Sequence, residues 1–285
     1  MWRVAALLHH WQQGRVAPAL GERRAGSVSV VIPVYNERES ILRTLELCRR
    51  RAARPSELEI VVVDGGSTDG TAEALVEEAA AAEDGCPTLR VLSARGGRGH
   101  ALRAGAEAAR GELLLMLHAE CAPPPAFDEL CAQTLADPAV ALGAFSFRID
   151  RGSFAKAPPR GIGFVERFAN ARARAPFFMP YGDQGLHVRA ADLGEAGGVP
   201  AVAIMEDVVL VRRLLAAGAR ASPPRQLLVR DEAVECSGRR WEQHGVVRVT
   251  VLNQLFMLAH GLGFSPDDIY TAYYGKPPPT AAAGA

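Results

Sequence analysis

The stretch LEIVVVDGGSTDGT, residues 58–71, decides the fold. An apolar, β-branched run ends abruptly in Asp64. A glycine pair, a hydroxyl pair and a second acid follow, and at Thr71 an Ala- and Glu-rich stretch begins that favours helix. The segment therefore reads as a buried strand, a tight turn and the opening of a helix. It delivers one carboxylate to the edge of a sheet, and in open α/β sheets that edge is where ligands bind.

The same grammar recurs on both sides. Val28–Val34 is a continuous apolar run closed by Tyr35-Asn36-Glu37, and Glu39–Arg51 has helical spacing. Leu89–Leu92 reads as a third strand, Gly99–Arg110 as a helix, and Glu112–Leu117 as a fourth strand. Strands alternating with helices imply a parallel, doubly wound sheet, and strands buried on both faces should be continuous Val/Leu runs, as these are. Beyond residue 120 the pattern loosens. Pro124–Leu135 and Gly161–Arg174 read as helices, Ala141–Ile149 as a strand, and Tyr181–Arg189 as a turn with a short strand. Glu206–Ala217 is a helix with Gly218 as its stop, Gln226–Arg230 an edge strand, and Val246–Ala259 and Asp267–Tyr274 closing helices.

Composition narrows the function classes. The 285 residues are 48% hydrophobic and 22% charged, so a substantial core is expected. The formal net charge is zero, which excludes the basic footprint of an extended nucleic-acid surface. Cys48, Cys86, Cys121, Cys131 and Cys236 are odd in number and widely spaced with no C-x-x-C pair, so neither a zinc site nor a disulfide framework is expected. A reducing, cytoplasmic setting fits that usage. Residues 1–27 carry Arg3, Arg15, Arg23 and Arg24 against one acid, Glu22. They read as an extension, either disordered or an organelle-targeting segment in which Met1–Gln12 forms a short amphipathic helix. Residues 277–285 read as a disordered, low-complexity tail. No uncharged stretch has membrane-spanning length. In the closing helices Leu252, Leu255, Phe256 and Leu258 read as core positions, with peripheral contact to a membrane or lipid acceptor as the other reading.

Three polar groups end three of the parallel strands: Asn36-Glu37, Asp64 and His118-Ala119-Glu120. Parallel strands put their C-terminal ends on one edge, so these groups should converge. Acids gathered without a lysine suit a divalent cation held on substrate phosphates, or the N–H groups of a base. Asp64 is expected at the ligand and Asp69 as the cap of the next helix. The turn Arg95–Gly99 opens a helix and can approach a phosphate. A P-loop is excluded, because no G-x-x-x-x-G-K-[ST] occurs, and the dinucleotide fingerprint is missing from the first turn. Met205-Glu206-Asp207 opens a helix, where acids either complement the dipole or supply a general base; Asp207 is the first choice and Glu206 the alternative. Arg239-Arg240-Trp241 offers forked donors for a diphosphate and a ring for stacking, or else a solvated basic turn.

Taken together, VIPVYNE (31–37), VVVDGGSTDGT (61–71), RGGRGHALRAGAEAARGELLLMLHAE (95–120), PYGDQGLHVR (180–189), MEDVVLVRRL (205–214) and RRWEQHG (239–245) resemble a family-2 glycosyltransferase of GT-A fold, in the right order from about Val28 to Lys276. The His-Ala-acid form and the GDQG segment are similar to the radical-SAM/selenodomain-associated transferase 2 subgroup. The resemblance implies an α/β fold: a doubly wound, mostly parallel sheet with helices on both faces and a C-terminal helical acceptor region. Residues 28–276 would form a single domain.

It also implies a nucleotide-diphosphate sugar donor, a divalent metal (Mg²⁺ or Mn²⁺) and an inverting transfer to an acceptor hydroxyl of unknown identity. Carried over by motif, Pro33, Tyr35 and Glu37 line the nucleotide pocket, Asp64 binds the base and Arg98 approaches the diphosphate. Glu120, with His118, takes the metal position. Asp183 and Gln184 face donor or acceptor, Arg240 and Trp241 end the Q-x-x-R-W element, and Asp207 is the base. The chain departs from the pattern in having His118 for the first acid of D-x-D, Glu120 for its last, and no Gln opening the R-W element. The departures motivate an alternative, a nucleotide-sugar binder that kept the fold and lost transfer. A sugar nucleotidyltransferase fits less well, because the first strand lacks a basic glycine-rich loop.

Overall fold

The computed structural model describes residues 23–81 and 86–280. The expected helix at Met1–Gln12, the targeting reading and the last five residues of the tail lie outside them.

Among the described residues eight strands form one sheet: β1 (Arg24–Val34), β2 (Glu59–Asp64), β3 (Thr88–Ser93), β4 (Gly111–Met116), β5 (Cys121–Ala122), β6 (Val140–Asp150), β7 (His187–Arg189) and β8 (Gln226–Ser237). Their order is β3-β2-β1-β4-β7-β6-β8-β5. The first half is parallel, as the alternation of strands and helices predicts. Its register sets Val34 opposite Asp64 and Asp64 opposite Ser93, so the turns after these strands leave from one edge. β7 runs antiparallel between β4 and β6, and β8 runs parallel to β6. The helices are α1 (Arg38–Arg51), α2 (Thr71–Ala80), α3 (Arg98–Ala108), α4 (Phe127–Ala136), α5 (Ile162–Ala173), α6 (Ala190–Glu195), α7 (Glu206–Arg220), α8 (Arg239–His244), α9 (Val246–Gly261) and α10 (Pro266–Tyr274).

Alternate residues of the same strands feed two cores. Ile32, Ile60 and Val62 pack with Ile41 and Leu45 of α1, whereas Val31, Val61 and Val63 pack with Ala101 and Leu102 of α3. Every residue of β2 is buried. At about 1.5–3 kcal/mol for each fully buried Val, Ile or Leu side chain, this double burial holds the site-bearing edge in place.

The structure corrects several expectations. β1 begins at Arg24, which bonds to Arg110 O at 2.7 Å, so residues 24–27 belong to the sheet and not to the extension. Gly218 does not stop its helix, which runs on to Arg220. A Cβ there would lie 2.9 Å from both Ala141 Cβ and Arg225 O, so the glycine answers close packing against β6. β8 has 12 residues and is interior, because the two-residue β5 covers part of its outer side. That pairing sets Cys121 opposite Cys236, and the two form a disulfide with Cα atoms 4.2 Å apart. A partner 115 residues away in sequence leaves no spacing signal. Finally, Leu255 and Leu258 are exposed, not core, while Phe256 on the other side of α9 packs inward. Among the described residues no helix is long and apolar enough to cross a membrane.

Candidate active site

Two adjoining cavities open along the C-terminal edge of the sheet. One, of about 270 Å³, is lined by His118, Glu120, Asp183, Asp207, Arg240 and Trp241 together with Asn253, Phe256 and Met257 of α9. The other, of about 300 Å³, is lined by Pro33, Tyr35, Glu37, Gly65 and Gly97 with Tyr270, Tyr274 and Lys276. Arg98, Ile204 and Tyr274 border both. A phosphate chain could therefore run from one cavity to the other past the Arg98 guanidinium.

The turns that build the second cavity are locked by their own short polar side chains. Thr68 N donates to Asn36 Oδ1 at 2.7 Å, and Asn36 N donates to Ser67 Oγ at 2.8 Å, so the turns after β1 and β2 hold each other. Asp69 accepts from Thr71 N at 3.0 Å and from Arg38 N at 3.4 Å, so it ties the starts of α1 and α2 together from the turn, while Gly70 and not Asp69 takes the cap position of α2. Gly97 opens α3 at φ +98°, in contact with Ala203. A Cβ would lie 2.6 Å from Ala203 O, so only glycine lets this turn approach the wall.

Three expected contacts are not met. The Asp64 side chain is fully buried, and its carboxylate accepts from Gly66 N at 2.8 Å and Ser67 N at 3.1 Å. It shapes the turn, and the neighbouring Gly65 lines the cavity. Gln184 is also fully buried: its Nε2 donates to Phe145 O at 3.1 Å, and its Oε1 accepts from Tyr181 N. Glu206 is fully buried behind the site and ion-paired to Arg98. Burial pushes its carboxyl up, and Arg98 only partly offsets this. The pair holds the Arg98 side chain at the junction of the cavities and leaves Asp207 as the acid facing the first one.

Asp207 is fixed at a helix start. Its Oδ1 accepts from Val208 N at 2.8 Å and its Oδ2 from Gly182 N at 2.9 Å. Gly182 also makes room for His118, because a Cβ there would lie 2.7 Å from His118 Nε2. Burial, then the Arg98 charge, push His118 down to about 3, so its imidazole is neutral near pH 7. Burial pushes the Glu120 carboxyl up and Glu37 adds to it, while Arg239 and Arg240 pull the other way. Asp183 is raised by burial first, with Arg172 opposing and Asp207 reinforcing. Carboxylates that raise one another are the electrostatic mark of a place for a cation.

Arg239 belongs to the basic triplet read from the sequence, but the resemblance carries only Arg240 and Trp241 into the site. Its Nη2 donates to Glu37 Oε1 at 2.5 Å and to Glu120 Oε2 at 3.4 Å. The tandem Arg239-Arg240 was visible, but only the phase of α8 decides which arginine meets the acids. Arg240 instead donates to Asn253 Oδ1 at 3.0 Å and lies 5.0 Å from the Tyr273 ring centroid. Trp241 packs 6.1 Å from Phe147. Tyr270 and Tyr274, one turn apart on α10, were likewise missed, although their i,i+4 spacing signals a shared face.

A divalent ion fits this donor set in part. His118 Nε2 and Asp183 Oδ1 are buried without a hydrogen-bond partner, and the half-buried Glu120 carboxylate lines the same cavity. Among the described residues no three acid, His or Cys side chains are gathered closely enough to hold an ion unaided. Substrate phosphate oxygens and water would have to complete the shell, the usual arrangement for Mg²⁺.

Residues 29–191 match the family described as Glycosyl transferase family 2. The chain belongs to this family. Curated relatives include an undecaprenyl-phosphate 4-deoxy-4-formamido-L-arabinose transferase of Pseudomonas paraeruginosa, 46% identical over 102 residues, which is 34% of this chain and 29% of the relative. The enzyme of the same description from Proteus mirabilis is 40% identical over 106 residues, 36% of this chain and 31% of the relative. The match thus spans less than a third of these relatives' own length. Among solved structures, the mannosyltransferase PcManGT of Pyrobaculum calidifontis, in complex with GDP-Man and Mn²⁺, aligns over 95% of this chain and 74% of its own, with TM-score 0.60 and 25% identity. Staphylococcus aureus TarS with UDP-GlcNAc aligns over 74% and 58%, with TM-score 0.54 and 17% identity, a likeness of fold alone. The family-2 chain has the GT-A architecture of these neighbours: a mixed, mostly parallel α/β sheet flanked by helices.

Proposed function

We propose that the protein is an inverting glycosyltransferase that moves a sugar from a nucleotide diphosphate to an acceptor oxygen. The observation that carries this reading is the placement of Asp207 in one cavity with Glu120, Asp183 and Arg240, joined at Arg98 to a second cavity lined by Tyr35, Gly65, Tyr270 and Tyr274. The base and ribose belong between Tyr35, Gly65 and the α10 tyrosines, with Lys276 and Arg98 toward the phosphates. The acceptor oxygen attacks the anomeric carbon from the Asp207 side. A bond forms from that oxygen to the carbon, the bond to the diphosphate oxygen breaks, and the acceptor proton passes to the Asp207 carboxylate. The acceptor O–H is either an alcohol or the acidic O–H of a phosphate monoester; the relatives' undecaprenyl-phosphate supports the second.

Glu120 and Asp183, with His118 beside them, would hold Mg²⁺ or Mn²⁺ on the diphosphate. Bound there, the ion supplies neutralisation of the charge on the departing diphosphate. No general acid is then needed, in contrast to the carboxylate pair of hydrolases. His118-Ala119-Glu120 and the Gly182–Gly185 segment support placing the chain with the radical-SAM/selenodomain-associated transferase 2 subgroup.

A second reading, a nucleotide-sugar binder without transfer, is favoured by one observation: the Arg239 guanidinium already bridges Glu37 and Glu120. Calorimetry with UDP and GDP, with and without Mn²⁺, separates the two. The transferase reading expects Mn²⁺ to tighten nucleotide binding, Glu120→Ala to remove that gain, and the donor sugar to be hydrolysed slowly. Equal binding with and without Mn²⁺, with an intact donor, would select the binder.

A further inference from the structure

We infer that the outer face of α9, with the aromatic edge of α5 beside it, docks onto an anionic lipid bilayer. Val247, Val251, Leu255, Leu258 and Leu262 follow one another at intervals of three and four residues and fall within an arc of roughly 80° at about 100° per residue. They are exposed by 77%, 49%, 52%, 58% and 70%. The opposite face is already occupied: Val249 is buried, and Phe256 and Met257 pack against the cluster of Met205, Val208 and Ile269. An amphipathic helix of a globular domain normally turns its apolar stripe toward the core. Here only one side is covered by the fold.

A second exposed apolar patch lies on α5, beside the start of α9. Gly161 abuts Val246 at the start of α9, and the exposed rings of Phe164 and Phe168 stack 6.2 Å apart on α5. Charge selects the occupant. Residues 151–180 hold six Lys and Arg against one acid, and residues 239–264 hold three Arg against one acid; Arg151, Arg174 and Arg239 are spent in ion pairs and Arg240 lines the Asp207 cavity, which leaves the cations nearest the stripe unpaired among the described residues. Arg160, Arg167 and Arg248 are exposed and have no acidic partner among the described residues. A second copy would bring the same positive rim against this one. A surface of anionic headgroups over acyl chains satisfies both the stripe and the rim. The acids that flank the stripe along the chain, Glu242 before it and Asp267 and Asp268 after it, all lie outside it. The stripe is about 22 Å long and the helix has 16 residues, so it is suited to lie in the interface and not to cross it.

The geometry also has a purpose. The inner side of the same helix lines the Asp207 cavity through Asn253, Phe256 and Met257, so docking would set the mouth of the site close to the bilayer. This inference goes beyond the transfer reading and does not depend on it.

The test is co-sedimentation of the full chain with phosphatidylcholine vesicles, with and without phosphatidylglycerol. The parent protein should bind the phosphatidylglycerol vesicles, less so at high salt. Leu255→Ser/Leu258→Ser should weaken binding by about tenfold or more. Arg160→Gln/Arg167→Gln should remove most of the salt dependence. Should the serine variant misfold, Leu258→Trp gives a second readout: its fluorescence should shift to the blue and be quenched by brominated phosphatidylglycerol. Failure of the parent to bind either vesicle would overturn the inference, as would unaltered binding by the serine variant. So would a stripe variant that only converts a dimer to a monomer, which would give the face to a second copy. UDP calorimetry on the same variants keeps this result separate from the transferase reading.

Discussion

The parallel half of the sheet and the C-terminal helices meet at one site but are built on opposite terms. All six residues of β2 are buried, whereas α9 has Val249 as its one buried residue in sixteen. The first region is held by apolar contact on both faces. The second is held on one face and reaches the site through a few polar contacts, of which Arg239 to Glu37 and Glu120 is the chief. In the proposed transfer, the first region is the floor that receives the nucleotide and the second is the wall that meets the acceptor.

The sharpest way to test that division is at Asp207, where the two regions meet. Asp207→Asn should leave UDP affinity within about threefold and lower transfer by about 10²–10⁴-fold, measured by turnover and calorimetry on one preparation. A parallel loss of nucleotide affinity would make Asp207 part of the floor. Stability should divide the same way. Leu115→Ala removes a fully buried side chain and should cost about 2–5 kcal/mol in urea unfolding. Leu258→Ala should stay within about 0.5 kcal/mol; equal losses would erase the contrast.

A third measurement uses pH. His187 is fully buried between strands, with Nδ1 2.9 Å from Gly185 O, and burial holds it down at about 4. The folded chain therefore binds fewer protons here than the unfolded chain between about 4 and the ordinary imidazole value of 6.5. Its contribution is present above pH 6.5 and is lost as pH falls toward 4, at about 1.4 kcal/mol per pH unit. Thermal melts should show this slope in the parent, and a reduced slope in His187→Gln. The smallest expected effect is at Arg239. If its guanidinium competes with the metal for Glu120, Arg239→Gln should raise Mn²⁺ affinity several-fold by calorimetry. A fall in UDP affinity instead would assign Arg239 to the diphosphate.

The legibility of the chain follows the same boundary. Val31–Val34 and Val61–Val63 announced buried strands, and Asn36, Asp69 and Gly97 announced turns, because burial on two faces and turn chemistry act on neighbouring residues. The last helix, expected from Asp267, begins one residue earlier at Pro266, where Ser265 caps by accepting from Asp268 N at 3.1 Å. Asp64 and Gln184 were placed at the right edge, but the direction of their side chains was not readable. Both are consumed by backbone groups that must be satisfied when buried. Gly218 looked like a stop and proved to be a contact point.

The amino-acid pattern alone established the alternation of strands and helices, the edge on which the acids gather and the family to which they belong. These rest on periodicity and on short motifs, which are properties of adjacent residues. The fold alone decided that Cys121 meets Cys236, that Arg239 and not Arg240 meets Glu37, that Glu206 pairs with Arg98 and frees Asp207, and which face of α9 stays uncovered. Each depends on a meeting between residues about a hundred or more positions apart, or on which of two equally apolar faces finds a neighbour. Packing in three dimensions settles both, and no local spacing along the chain encodes either.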